Sequence, residues 1–212
     1  MHLILLLSLI IIDIVCEKWD KIENKRLAKV IGMGMAMFLF GALRSVNVGT
    51  DLPNYFRYFE KTTHLSTVGI FKVFLEYEPV FFIFLKSITL FSKNPQLMLV
   101  VISGIVAAGL SYFIYHQKCN PLMVYMMFIC LRLFPFTLSG LRQAVAMAIT
   151  WVAFVHLIKG RDKKFWLFLA IAFLFHTSSI VFILVYPLYK MRSTKFVLFS
   201  AAGIYVFSLC GS

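Results

Sequence analysis

The chain has 212 residues, of which 61% are apolar and only 14% charged, with 23 phenylalanines and 10 methionines. A globular domain averages about 45–50% apolar and about 25% charged residues, so this chain carries more apolar surface than an interior of its size can hide. That excludes a single soluble domain, and it excludes disorder, which requires low hydrophobicity.

The formal net charge is +12, a value that in a soluble protein would suggest nucleic acid. The placement of the cations argues against that partner. Three short gaps between apolar runs hold most of them: Lys18, Lys21, Lys25, Arg26 and Lys29; then Lys159, Arg161, Lys163 and Lys164; then Lys190, Arg192 and Lys195. Short Lys/Arg-rich loops between spans stay cytoplasmic and fix orientation. The reading is an all-α, polytopic integral membrane protein with no nucleic-acid partner.

A span needs about 20 apolar residues to cross roughly 30 Å of hydrocarbon. Taken in order, the candidate spans are 1–16, 28–43, 79–92, 96–115, 121–138, 140–158, 165–189 and 195–210. This predicts about seven to eight hydrophobic helices in one transmembrane domain over 1–212. The first run has no cation before it and no small-residue cleavage site, so it reads as a span rather than a leader. Cys16, Cys119, Cys130 and Cys210 show neither pairing nor metal spacing and read as packing residues. The last run stops at Gly211-Ser212 without a polar tail, so a chain cut short at its C-terminus is the expectation.

Between the second and third runs lies the one long polar stretch, Arg44 to Glu78, whose charges balance. Neutral balance suits an exported loop. Within it Asp51 precedes Leu52-Pro53, a helix N-terminus signature. The following segment, 52–63, mixes Tyr55, Phe56, Tyr58 and Phe59 with Asn54, Arg57, Glu60 and Lys61, which suits a helix lying in the headgroup plane.

If every run crosses, Lys159–Lys164 falls outside, so one run must stop short. The run 121–138 carries Arg132 and Pro135 deep in its apolar sequence and is predicted to be re-entrant from outside. Gly140-Leu141-Arg142-Gln143 is then external. The run 165–189 has basic flanks at both ends and Phe175-His176-Thr177-Ser178 in its middle. It reads either as two half-helices with His176 at the tip or as one ordinary span.

Candidate chemistry follows from these positions. Arg44, Arg142 and Arg132 present planar forks that match phosphate oxygens two at a time, and three such cations from different segments suit a pyrophosphate. Arg44 also fits a snorkelling helix terminus, and Asp51 a plain helix cap. Glu76 and Glu78, at the outer mouth of the third run, suit a general base or helix N-terminal carboxylates. His176 is an ionisable group in an apolar run, which points to function or to a buried hydrogen bond. There is no P-loop, dinucleotide glycine motif, His-Glu-x-x-His or Cys-x-x-Cys, so no cofactor and no metal site are expected.

In order and spacing, Gly41-Ala42-Leu43-Arg44, Val48-Gly49-Thr50-Asp51 with Tyr55, Glu78-Pro79, Leu141-Arg142-Gln143 with Ala144 and Ala146, and Phe175-His176-Thr177-Ser178 resemble the EpsG family of exopolysaccharide proteins, relatives of the Wzy-type polymerases. Family members usually continue through further spans after the histidine. The family often has Asn shortly before Arg-Gln, where this chain has Ser139 and Gly140.

The resemblance implies a polysaccharide polymerase of the bacterial cytoplasmic membrane that acts on exopolysaccharide, capsule or O-antigen units. Its donor would be a glycan on polyprenyl pyrophosphate in the outer leaflet, its acceptor a lipid-linked repeat unit, and its partners other polysaccharide-assembly proteins. Arg44, Arg142 and Arg132 would hold the pyrophosphate without a metal, while Glu78, Asp51 or His176 would take the acceptor's proton. Gln143, Tyr55 and Tyr58 would contact sugar. The alternative is a non-catalytic transporter or flippase component for the same lipid-linked glycan.

Overall fold

The computed structural model describes residues 2–19, 21–45, 47–66, 68–69 and 79–190. Glu76 and Glu78, and the whole of the 195–210 run, lie outside them. The chain divides into two compact units, 1–179 and 180–212. All regular structure among the described residues is helical.

The first unit contains α1 (His2–Lys18), α2 (Lys25–Ala42), α3 (Leu52–His64), α4 (Pro79–Thr89), α5 (Pro95–His116), α6 (Pro121–Cys130), α7 (Leu133–Ser139), α8 (Leu141–Ile158) and α9 (Asp162–Phe175). A 3-10 stretch, Thr177–Leu184, leads into the second unit, whose described part ends with α10 (Val185–Lys190). Local sequence sets several of these starts. Asn24, Asn94 and Asn120 each accept a backbone N–H from the first turn of the helix they precede, and Pro95 and Pro121 occupy first-turn positions that need no donor.

Two apolar clusters hold the first unit. One joins Leu52, Tyr55 and Phe59 of α3 with Phe81, Phe82 and Leu85 of α4, Met98 to Val106 of α5, and Leu141 to Val145 of α8. The other joins Leu5 and Leu9 of α1, Val30, Met33 and Met37 of α2, Leu110 and Ile114 of α5, and Tyr125 to Leu138 of α6 and α7. Where α5 crosses α8, a Cβ on Gly109 would lie only 3.0 Å from the Ala148 carbonyl oxygen. Small residues at that crossing let the two backbones meet, as in helix pairs packed within lipid. On the outside, Leu3, Ile4, Leu7, Ile11 and Ile14 of α1 and Ile31 and Met35 of α2 are exposed. Helices apolar on both faces belong in a bilayer.

The helices share two ends. At one, Glu17, Lys25, Arg26, Lys29 and Lys118 surround an open hollow. There Lys29 pairs with Asp13 at 2.9 Å and Glu17 at 2.7 Å, while Arg26 donates to the carbonyls of Ile114, Gln117 and Cys119 at the close of α5. Lys159, just past α8, sits 5.7 Å over the Tyr112 ring near the same end of α5. Two of the three basic clusters therefore lie together. The other end holds the close of α2, the start of α5 (the Gln96 amide donates to the Ala42 carbonyl) and the start of α8.

Of the seven to eight expected hydrophobic helices, the described residues hold two or three that are long and apolar enough to cross. By length and composition, α5 and α8 are the described helices able to cross alone, and α6 with α7 would make a third if the pair is one span. Among the other described helices, α1 has 17 residues, α4 11 and α9 14, while α2 opens with Lys25, Arg26 and Lys29.

The re-entrant reading of 121–138 is also corrected. Pro121 lines the basic hollow, whereas the Leu138 carbonyl is bonded by Arg44 at the far end of α2. The segment therefore traverses the bundle as a broken pair bent by 60°. Of the short helices, α4 is far too short to cross: 11 residues rise roughly 16 Å, about half the hydrocarbon thickness. Its first turn packs on Tyr55, and after a five-residue connection the chain enters α5 at that same pole.

Candidate functional site

The site is built where the bent pair ends and α8 begins. Pro135 is the third residue of α7, and its missing N–H would have bonded the Leu131 carbonyl. The helix therefore breaks at Leu131-Arg132, and Arg132 takes a left-handed backbone at φ 61° that costs an L-residue about 1–2 kcal/mol. The break leaves the Arg132 side chain exposed.

Beyond α7 the chain turns at Gly140 into α8. An open groove of about 430 Å³ runs along this turn, lined by Thr50, Asp51, Arg132, Pro135, Phe136, Ser139, Gly140 and Gln143. Three residues picked out by sequence, Asp51, Arg132 and Gln143, thus share one concavity. Thr50, Phe136 and Ser139 were not picked out. Thr50 belongs to the quoted Val48-Gly49-Thr50-Asp51 motif and Ser139 was named beside Gly140, neither as a site residue, whereas Phe136 was hidden in an apolar run.

Asp51 precedes α3 as expected, yet its carboxylate makes no capping hydrogen bond. It is exposed and lines the groove instead. The Gly49 that positions it has φ 123°, and a Cβ there would lie 2.6 Å from the Leu138 carbonyl oxygen. Only glycine fits both the backbone and the contact.

Arg44 is placed differently from the expected phosphate clamp. It is 6% exposed, with Nη1 donating to the Gly41 carbonyl at 3.0 Å and Nη2 to the Leu138 carbonyl at 3.1 Å. The cleft it lines measures about 10 Å³, too small for a phosphate. Burial lowers its pKa to about 10, so it remains charged at neutral pH. Arg44 therefore ties the end of α2 to the end of α7, directly before Gly140–Gln143.

Arg142, half-buried in the first turn of α8, points its Nε toward the Tyr55 hydroxyl at 3.5 Å. Tyr55 itself is buried, its ring edge-on to Phe81 at 5.8 Å and to Tyr58 at 6.3 Å. Tyr58 meets Phe82 edge-on at 5.5 Å. Both rings belong to the aromatic packing between α3 and α4, so Tyr55 offers the site its hydroxyl rather than its face. The three arginines thus occupy the same pole in distinct settings: Arg44 buried beneath, Arg142 on α8, Arg132 exposed at the break.

His176 ends α9. Its backbone is extended at φ −158°, and its N–H donates to the Ala172 carbonyl at 2.9 Å. The neighbouring Phe175 ring meets Phe84 of α4 at 5.6 Å, which brings the close of α9 to the pole where α8 starts. The helix break at His176 agrees with the half-helix alternative of the two read for 165–189; His176 does not line the groove. Glu78, the first-choice base, lies outside the described residues.

Comparison with curated proteins and with solved structures gave no match. A family model for the EpsG family matches residues 30–212. That range includes α2 from Val30 onward and every residue of the groove, and this chain is a membrane protein of the EpsG family.

Proposed function

We propose that the protein is a polysaccharide polymerase of exopolysaccharide biosynthesis. It joins a glycan carried on polyprenyl pyrophosphate to a lipid-linked repeat unit at the outer face of the bacterial cytoplasmic membrane. What supports this reading beyond the family is the groove, where a carboxylate, a guanidinium and an amide face one open space at the pole opposite the first two basic clusters. The positive-inside rule assigns that basic end to the cytoplasm, and hence the groove to the outside.

The chemistry is a glycosyl transfer. An acceptor hydroxyl oxygen attacks the donor's anomeric carbon, the bond from that carbon to the pyrophosphate oxygen breaks, and the polyprenyl pyrophosphate leaves. Asp51 is the groove carboxylate and takes the hydroxyl proton; His176 and Glu78 are the other candidate bases. Arg142 and Arg132 hold the pyrophosphate and stabilise the charge it gains. Arg44 acts as a positioning residue through the Leu138 carbonyl, and Gln143 hydrogen-bonds substrate.

The test is the surface-glycan ladder of cells with the gene deleted, then restored as wild type or as Arg142→Ala. The expected result is collapse to single repeat units, recovery with wild type, and no recovery with Arg142→Ala. Full-length glycan in the Arg142→Ala strain, or lipid-linked units trapped at the inner face after deletion, would overturn the reading, the second in favour of a flippase component.

A further inference from the structure

We infer that Phe136 is the stacking platform on which a sugar ring of the lipid-linked glycan substrate rests, a binding residue that rests on the glycan reading above. Phe136 lies on α7 one turn after Arg132 and is 46% exposed. It is the aromatic ring among the groove's described lining residues. Its backbone is fixed on both sides: its N–H donates to the Arg132 carbonyl, and its carbonyl accepts from Gly140, each at 3.1 Å.

A phenylalanine that merely faces lipid has apolar neighbours on its open side. Here the open side is shared with Asp51, Arg132 and Gln143. That combination is chemically specific. A pyranose presents a face of C–H groups and a rim of hydroxyls. The C–H face packs on an aromatic ring, while the rim needs an acceptor, a donor and a group that does both, which a carboxylate, a guanidinium and an amide supply. A volume of about 430 Å³ suits a small ligand of this kind, since such sites span about 300–1,000 Å³. The rings named from sequence are committed elsewhere, Tyr55 and Tyr58 being packed against α4.

The experiment separates sugar stacking from apolar bulk and from pyrophosphate binding. Oligosaccharide released by mild acid from the cell's lipid-linked repeat unit, and so lacking pyrophosphate, is titrated by calorimetry into the detergent-purified full chain. Phe136→Leu keeps the bulk and should bind about tenfold more weakly, the loss of one aromatic contact. Phe136→Tyr and Phe136→Trp keep a ring and should bind within about threefold of wild type. Arg142→Ala should give no polymer in cells, which tests the polymerase reading separately.

Wild-type affinity in Phe136→Leu, or equal loss in the leucine and both aromatic variants, would overturn the platform while leaving the polymerase reading standing if Arg142→Ala still gives no polymer. Normal polymer in Arg142→Ala would remove the polymerase reading, and the platform with it.

Discussion

Arg44 and Asp51 both depart from the roles their positions suggest. A cation at the end of a helix and a carboxylate before one look like a membrane anchor and a helix cap. In the fold, Arg44 is buried on two carbonyls and the Asp51 carboxylate caps nothing. Truncating Arg44 leaves the Gly41 and Leu138 carbonyls short of a buried donor, which costs about 1–3 kcal/mol. Arg44→Ala should therefore lower the unfolding temperature in detergent. Arg44→Lys should restore it only in part, because one ammonium lacks the fork that reaches both oxygens. Asp51→Ala should leave the unfolding temperature unchanged, whereas removal of a working N-cap costs about 1 kcal/mol; a clear drop would show that the carboxylate caps α3 after all. Sequence could not reveal the inward turn of Arg44, since its partner carbonyl lies 94 residues away.

At the scale of elements, the break between α6 and α7 was legible and its sense was not. Arg132 and Pro135 in an apolar run announce an interruption, and the interruption is there. Whether the chain then returns or continues depends on what the two halves touch. The apolar run 79–92 misled for a local reason: Leu90 and Phe91 extend the hydrophobic pattern but sit exposed in the turn after α4 ends at Thr89. By contrast, α3 was legible almost to its ends, because Asp51-Leu52-Pro53 marks its start and Leu52, Tyr55, Phe59 and Thr62 form its buried stripe. The left-handed residue at the break yields its own prediction. Arg132→Gly removes a strain of about 1–2 kcal/mol and adds about 0.5–1 kcal/mol of unfolded-state entropy. Stability should hold level or rise by up to about 1.5 kcal/mol in chemical unfolding, while glycan length in cells falls. Lower stability with normal glycan would mean that the arginine serves the fold alone.

For the first unit, two of the three basic clusters gather at one pole and the groove at the other, and the path of the chain between them is open to labelling. In a cysteine-free background, Asn54→Cys on α3 and Phe91→Cys after α4 should both react with a membrane-impermeant thiol reagent added outside intact cells. Lys118→Cys should react only after the cells are opened. Protection of Phe91→Cys together with Lys118→Cys would mean that α4 crosses. The membrane class and the helical build were legible because composition alone forces them. The groove was legible only in part, because Phe136 differs in no local way from the apolar residues around it.

The most direct test of glycan polymerisation uses the purified full chain in liposomes supplied with the host's polyprenyl-pyrophosphate-linked repeat unit. Wild type should release one polyprenyl pyrophosphate for each glycosidic bond formed and build a ladder of lengthening glycans. Arg142→Ala should do neither. Units that cross the bilayer without being joined, or equal elongation by wild type and Arg142→Ala, would contradict the assignment.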